Sequence, residues 1–165
     1  MILVAYASKH GGTEGIATAI AARLGERGYR SLARPVAAVD DLGDAEAVVL
    51  GSAVYAGSWL KDATSFAERH ASALRERPVW LFSSGPLGEQ VADDEEQPRQ
   101  LAELREQLAP RDHRIFFGAL DRSKLGFGER MIVKAVKAPD GDFRDWAAIA
   151  GWADMIADKL GTPES

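Results

Sequence analysis

The sequence predicts a single α/β domain, a doubly wound three-layer sandwich with about five parallel strands in the order 2-1-3-4-5. Short, β-rich apolar runs alternate with longer stretches whose apolar residues recur every three or four positions. The connections between the apolar runs are too long for hairpins, so the strands must be parallel and joined by right-handed crossovers. With 165 residues, 46% of them hydrophobic, the chain can bury one core and is short for two domains.

The first half of the chain supplies three strands and two helices. The opening run is too short and too β-rich for a helix, and it reads as a fully buried strand. The helix that follows has an apolar stripe through Ile16, Ile20 and Leu24, and Gly28 should stop it. The predicted elements are a strand at 2–7, a helix at 13–27, a weaker strand at 30–36, a strand at 45–54 and a helix at 58–75.

The second half repeats the alternation with two strands and two helices. The run that begins at Pro78 is buried and ends in a Ser-Gly-Pro turn, and the final helix opens at Asp145-Trp146. Strand aromatics, namely Trp80, Phe82, Phe116 and Phe117, are expected in the core, and Trp146 and Trp152 are expected to pack against the sheet. The predicted elements are strands at 78–83 and 113–120 and helices at 96–109 and 145–160.

Composition narrows the function classes. A net charge of −5 argues against general nucleic-acid binding, and no nucleic-acid partner is expected. Without cysteine the chain has no disulfide, thiolate metal site or cysteine nucleophile, so redox chemistry needs a bound cofactor. His70 and His113 have no second ligand at metal spacing and are expected at the surface or as caps, with no metal site. The apolar start lacks a basic n-region and no run reaches membrane-spanning length, so a cytoplasmic protein is expected.

A glycine-bearing loop between the first strand and the first helix predicts a phosphate site. The unpaired N–H groups and the positive dipole end of a helix favour an anion there. No lysine follows the second glycine, so the segment is not a triphosphate-binding loop. The alternative is a tight turn followed by a helix cap. The candidate phosphate ligands are Ser8, Lys9, His10, Gly11, Gly12 and Thr13.

Two more segments follow the next central strands and should lie at the same sheet edge, where doubly wound proteins bind ligands. Their small residues would let a ligand approach the backbone, and Tyr55 or Trp59 could stack on a flat ring. The second segment offers Ser52, Ala53, Val54, Tyr55, Ala56, Gly57 and Trp59. The third offers Ser83, Ser84, Gly85, Pro86, Leu87 and Gly88.

The spacing of Ser8, Gly11 and Thr13, as S/T-x-x-G-x-T, resembles the phosphate loop of flavodoxins, which binds the phosphate of FMN. Within that superfamily the chain is most similar to the flavodoxin-type, quinone-dependent protoporphyrinogen oxidase group. The matching features are the run Gly51-Ser52-Ala53-Val54-Tyr55-Ala56-Gly57, the strand Phe116-Phe117-Gly118-Ala119-Leu120, the run Arg130-Met131-Ile132-Val133-Lys134, and Asp145-Trp146. Response-regulator receivers share the fold but need an acidic cluster, which Ala7-Ser8 and Gly51-Ser52 do not supply.

The resemblance implies one non-covalently bound FMN and an FMN-dependent oxidoreductase that oxidises protoporphyrinogen with a quinone acceptor. Two departures from the family pattern matter. His10 stands where many flavodoxins have a hydroxyl residue, and the third segment has no aromatic side chain to cover the ring. An uncovered ring favours an enzyme over a carrier. The alternatives are a flavodoxin-type electron carrier that docks on redox partners, and an FMN-binding regulatory module.

Residues 121–142 form an insertion between the last strand and the last helix. From Arg111 to Lys137 the chain carries seven basic and three acidic residues, a local charge of +4 in a protein of −5. Its basic, amphipathic pattern suggests contact with an anion, either the propionates of a small-molecule substrate or the inner face of a membrane. The alternative is a solvated helix that covers the sheet edge.

Overall fold

The computed structural model describes residues 1–8, 12–55, 58–85, 100–117, 119–120, 141–142 and 145–161. A short 3₁₀ turn occupies Val36–Ala38. The helices are α1 (Gly12–Glu26), α2 (Lys61–Arg69), α3 (Ala71–Arg75), α4 (Leu101–Leu108) and α5 (Trp146–Leu160). The strands are β1 (Ile2–Ala7), β2 (Ser31–Pro35), β3 (Ala47–Tyr55), β4 (Ser58–Trp59), β5 (Val79–Gly85), β6 (Asp112–Phe117), β7 (Ala119–Leu120) and β8 (Gly141–Asp142).

The main sheet runs in the order β2-β1-β3-β5-β6, and these five strands are parallel. This is the predicted order 2-1-3-4-5, which is confirmed. β1 lies between β2 and β3, with Ile2 opposite Ser31 on one side and Ala47 on the other. Every residue of β1 is buried, as expected for a central strand covered on both faces.

Helices cover both faces of the sheet and give the predicted three layers. α1 and α5 pack on one face, with Ile16, Ile20 and Trp152 in a core that includes Val4 and Phe82. The opposite face carries the 3₁₀ turn together with α2, α3 and α4, whose Phe66, Leu74 and Leu104 pack on Leu50 and Leu81. The chain therefore crosses the sheet between β2 and β3, which makes the region around β1 and β3 a topological switch point.

One glycine explains where α1 ends. Gly28 has φ 95, a left-handed conformation that suits a residue without Cβ. The N–H of Gly28 donates to the carbonyl of Gly25, and the N–H of Tyr29 donates to the carbonyl of Leu24. These bonds satisfy carbonyl groups that the helix leaves unpaired, as the sequence prediction of a stop at Gly28 requires.

The helix predicted at 58–75 is wrong at its start and in its middle. Ser58–Trp59 forms the short strand β4, which pairs antiparallel with the end of β3. Leu60 is extended, with φ −64 and ψ 144, so the helix begins only at Lys61. His70, with φ −107 and ψ 14, separates α2 from α3. Its ring packs against Phe66 at 4.6 Å between ring centroids, and burial lowers its pKa.

Several strands also end at residues other than the predicted ones. β3 and β5 continue to Tyr55 and Gly85, beyond the predicted ends. The strand predicted at 113–120 is two elements, β6 and β7, and β7 pairs antiparallel with β8. Residues 96–99 of the predicted helix at 96–109 lie outside the described residues; the described helix is α4.

Most of the aromatic predictions hold. Trp80, Phe82 and Phe116 are buried strand residues, and Trp152, on α5, is buried against the sheet. Trp146 differs, because it is 45% exposed at the first turn of α5. No helix in the described parts of the chain has the length and apolar character needed to cross a membrane.

Ion pairs hold α1 against α5. The guanidinium of Arg23 donates to Asp154 with 2.8 Å between Nε and Oδ1, and Arg27 donates to Asp154 and Asp158. The hydrogen bond from Arg23 lowers the pKa of Asp154. These ion pairs fix the layer formed by α1 and α5, to which the first turn of α1 belongs.

Candidate functional site

The first turn of α1 lies directly beyond the carboxyl end of β1. Ser8 follows the strand, and the helix begins at Gly12. The first N–H groups of the helix, which have no partner within the helix, therefore lie at the switch point. Thr13 in this turn is only 2% exposed. Lys9, His10 and Gly11 lie outside the described residues. The described end of this loop has the features of a phosphate site, an unpaired helix start at the edge of a parallel sheet.

A tyrosine fixes the start of this helix. The hydroxyl of Tyr6 on β1 donates to Oε1 of Glu14 in the first turn of α1, at 3.3 Å. Tyr6 is 8% exposed, and burial together with the Glu14 carboxylate raises its pKa. The bond therefore joins the strand to the helix turn on both sides of the predicted phosphate loop.

Small side chains form a row across the ends of the three central strands. Ala7 on β1 lies opposite Ser52 on β3, and Ser52 lies opposite Ser83 on β5. Residues 55 and 84–85 lie beyond the predicted strand ends, but the structure places them within β3 and β5. The edge that faces a ligand is therefore formed further along, by the segments that follow Tyr55 and Gly85.

The two serine hydroxyls in this row are used inside the protein. Both serines are fully buried. Oγ of Ser52 accepts from the N–H of Leu60 at 3.0 Å and donates to the carbonyl of Ala53 at 2.8 Å. Oγ of Ser83 accepts from the indole N–H of Trp59 at 2.8 Å. As placed here, these hydroxyls hold the segment after β3 onto the sheet.

Trp59 lies in the core between the sheet and α2, with 3% of its surface exposed. In this position the indole cannot stack on a ring bound at the sheet edge. Of the two aromatic residues predicted to flank a ring, this leaves Tyr55, the last residue of β3. Stacking by Tyr55 stays a prediction.

Sequence reasoning missed the role of His113. It was expected at the surface or as a cap, but its Nε2 lies 2.7 Å from Oγ of Ser83. Burial and the positive charge of Arg105 lower the pKa of His113 to about 4. The alternation of side chains along a strand could have indicated this position. His113 lies on the same face of β6 as Ile115, and the exposed Arg114 lies on the other face.

Gly51, directly before the second segment, has a packing role. A Cβ on Gly51 would meet Cζ of Phe82 at 2.0 Å. The ring of Phe82 lies across the strand at this point, in the core under α1 and α5. Gly51 makes room for a neighbour within the protein.

The structure thus brings part of the predicted site together at one sheet edge. The described members at this edge are Ser8, Gly12, Thr13, Ala53, Val54, Tyr55, Ser84 and Gly85. Ala56, Gly57, Pro86, Leu87 and Gly88 lie outside the described residues. The described residues fit FMN, because a helix start suits its phosphate and two adjoining strand ends can flank a flat ring.

Comparison with solved structures finds the same fold. An archaeal flavodoxin aligns over 96% of this chain and 97% of its own, at 17% identity and a TM-score of 0.66. A flavodoxin from Streptococcus pneumoniae TIGR4 aligns over 96% and 98%, at 17% identity and a TM-score of 0.65. Two-electron reduced Megasphaera elsdenii flavodoxin aligns over 84% and 100%, at 18% identity and a TM-score of 0.58. A search of curated proteins by sequence found no match.

The fold defines a doubly wound α/β protein, a class that binds its ligands at the switch point of the sheet. The family model described as Flavodoxin domain matches residues 3–146, most of the chain. The chain therefore belongs to the flavodoxin-domain family. FMN is its cofactor, and its function is redox chemistry with that flavin.

Proposed function

We propose that the chain is an FMN-dependent oxidoreductase that oxidises protoporphyrinogen and passes the electrons to a quinone. The supporting observation is the placement of the insertion. β7 begins two residues after β6 ends and pairs with β8, so Leu120 and Gly141 lie side by side. Both ends of residues 121–140 are thus held next to the carboxyl end of β6, at the sheet edge where we place the FMN.

The charge of the stretch from Arg111 to Lys137, which covers β6, β7 and most of the insertion, matches the proposed substrate. The basic excess from Arg111 to Lys137 stands in an acidic protein. Porphyrinogen propionates are anionic, so a basic segment beside the flavin would draw such a substrate to the ring.

The protein's own part in the reaction is binding and placement. The α1 start and Thr13 would hold the phosphate, and the ends of β3 and β5 would flank the ring. When bound, FMN supplies a ring that accepts a hydride equivalent and gives electrons to an acceptor. Each turnover removes two electrons and two protons from the substrate and forms one quinol from one quinone. No general base is assigned to a residue.

The phosphate site is tested by Thr13→Val, which keeps the side-chain shape and removes the hydroxyl. FMN affinity, measured by flavin fluorescence titration, should fall about tenfold. Riboflavin, which lacks the phosphate, should bind the variant and the wild type equally. The matched control is Thr18→Val, at an exposed position on the same helix. Equal FMN affinity for all three proteins would place the phosphate elsewhere.

The reaction is tested by adding protoporphyrinogen to the FMN-loaded protein without oxygen and following flavin absorbance. We expect bleaching of the flavin, and its recovery when a menaquinone analogue is added. A protein that porphyrinogen leaves oxidised, but that a reduced partner protein reduces rapidly, would refute the oxidase proposal.

A flavodoxin-type electron carrier is the second candidate. It is favoured by the alignment over almost the full length of two flavodoxins. The anaerobic experiment separates the two, because a carrier exchanges electrons with proteins and does not require the porphyrinogen.

A further inference from the structure

A chain of two hydrogen bonds, the first buried and the second partly buried, crosses three strands beneath the candidate site. It runs from the indole N–H of Trp59 to Oγ of Ser83, at 2.8 Å, and from there to Nε2 of His113, at 2.7 Å. Trp59 follows β3, Ser83 lies near the end of β5 and His113 lies on β6. We call these contacts the Trp59–Ser83–His113 chain.

The direction of each bond follows from the chemistry of the groups. An indole N–H can only donate, so Oγ of Ser83 is the acceptor of the first bond. The serine hydroxyl then has one proton left to give, and Nε2 of His113 is the acceptor within reach among the described residues. We assign the remaining serine proton to the bond with Nε2, which makes His113 the tautomer with its proton on Nδ1. Arg105 and Asp112 are the charged groups that act on this ring.

Trp59 also joins the end of β3 to Gln100, the residue before α4. Its backbone N–H donates to Oε1 of Gln100 at 3.1 Å. Its neighbour Leu60 donates to Ser52, and Ser58 pairs with Tyr55 at the end of β3. Gln100 is the first described residue after the third predicted ring-flanking segment. One tryptophan thus links the end of β3 to the chain that returns from β5.

We propose that Ser83 and His113 are positioning residues for the flavin ring, which act through Trp59 on the end of β3 that flanks it. The proposal rests on the proposed FMN site and names the residues that tune it. Neither side chain needs to touch the flavin. Their effect is to keep Trp59 in one place, and with it Tyr55 and Gln100.

Three variants break the chain at different links. Trp59→Phe keeps the aromatic ring and removes the N–H, Ser83→Ala removes the middle hydroxyl, and His113→Leu removes the final acceptor. His113→Gln is the rescue variant, since its side-chain amide can present an acceptor near the position of Nε2. The matched control is Trp152→Phe, which removes a buried indole bond to Asp112, of 3.0 Å, on the opposite face of the sheet.

The first readout needs no cofactor. In FMN-free protein, the indole N–H of Trp59 should exchange slowly with solvent by NMR, and Ser83→Ala and His113→Leu should speed its exchange about tenfold or more. The second readout is the flavin. Each breaking variant should shift the visible spectrum and midpoint potential and weaken both FMN and riboflavin about three- to tenfold. His113→Gln should restore values close to wild type, and Trp152→Phe should leave them unchanged.

The outcomes separate this proposal from the function it rests on. If the wild type binds FMN, and the breaking variants speed indole exchange yet leave the flavin spectrum, potential and affinity unchanged, the positioning role is refuted while the FMN site stands. If Trp152→Phe changes the flavin as much as Trp59→Phe does, the effect is general stability and the role is likewise refuted. A wild type that binds no FMN would overturn both.

Discussion

Phe82 lies across the backbone of Gly51, so β3 has no room for a side chain at that position. The nearest ring atom would stand 2.0 Å from an added Cβ, far inside van der Waals contact. Phe82 is fully buried between β3, β6 and α5, so its ring has nowhere to move. The glycine of the Gly51-Ser52 pair is thus required by the core.

We predict that Gly51→Ala lowers the free energy of unfolding by about 1–3 kcal/mol, because it overpacks a filled core. Urea unfolding followed by circular dichroism measures this change. The control is Gly151→Ala on α5, where an added Cβ meets nothing within 4 Å. That variant should be neutral or more stable by up to about 1 kcal/mol, since alanine favours helix. Equal stability of the two variants would contradict the packing argument.

The pKa of His113 predicts a loss of stability on mild acidification. Its folded pKa of about 4 lies below the ordinary value near 6.5, so the unfolded chain takes up a proton first as the pH falls. Stability from this residue is complete above about pH 6.5 and is lost down to about pH 4. Between about pH 7 and pH 5 the free energy of unfolding should fall by about 2 kcal/mol or less. Urea unfolding at these pH values should show a flatter profile for His113→Gln; identical profiles would contradict the assignment.

The role of a single residue was predicted well where its own local sequence determines it. The role was predicted poorly where it depends on a contact with a residue distant in sequence. Gly28 stops α1 because its own backbone requires a left-handed conformation, which local sequence encodes. Trp59 and His113 meet at Ser83, and the three come from strands distant in sequence. Their burial depends on the pairing of those strands, so the residue types alone pointed to a surface histidine and a ring-stacking tryptophan.

Among the helices, α5 has its start fixed by one carboxylate. Oδ1 of Asp145 accepts from the N–H of Ala148 at 3.0 Å, which satisfies a helix N–H that has no partner within the helix. α5 in turn carries Ile149 and Trp152 into the core. The cap therefore supports one whole layer of the sandwich.

We predict that Asp145→Ala lowers the free energy of unfolding by about 1 kcal/mol through loss of this cap. Asp145→Asn keeps an acceptor oxygen and should lose much less. Thermal unfolding of the two variants side by side measures the difference. If alanine and asparagine destabilise equally, the cap contributes nothing to stability.

Most strands and helices were predicted as elements, because the hydrophobic period of each one is visible in its own local sequence. β1 is buried on both faces and α1 on one, and each pattern is visible in its own residues. β4 was missed for the opposite reason. A strand of two residues has no period, and Ser58–Trp59 is extended only because β3 lies beside it.

Over the entire chain, charge is distributed unevenly. Residues 111–137 carry a charge of +4 in a protein of −5, so a surface of opposite sign to the rest of the protein is expected around β6 and β7. A change of Arg130, Lys134 and Lys137 to Gln should lower sedimentation with vesicles that contain phosphatidylserine by about tenfold or more, if that surface meets a membrane. FMN content should not change.

The control for this prediction removes the same charge elsewhere. Arg30, Arg34 and Lys61 are exposed and lie outside the insertion, so their change to Gln alters the net charge equally. Equal vesicle binding by both triple variants would show that only net charge matters. No vesicle binding by the wild type would leave an anionic substrate as the remaining target, which a rise in the apparent KM for porphyrinogen in the first variant would reveal.

The position of β1 between β2 and β3 also sets an order for folding. Ile2 reaches Ser31 across one crossover, but it reaches Ala47 only after the chain has passed beneath the sheet. Closing the larger loop costs more chain entropy, so the pairing of β1 with β3 should follow that of β1 with β2. The crevice for the flavin exists only when β1 and β3 are joined. FMN bound there holds the two strands together, so it should slow unfolding of the finished protein.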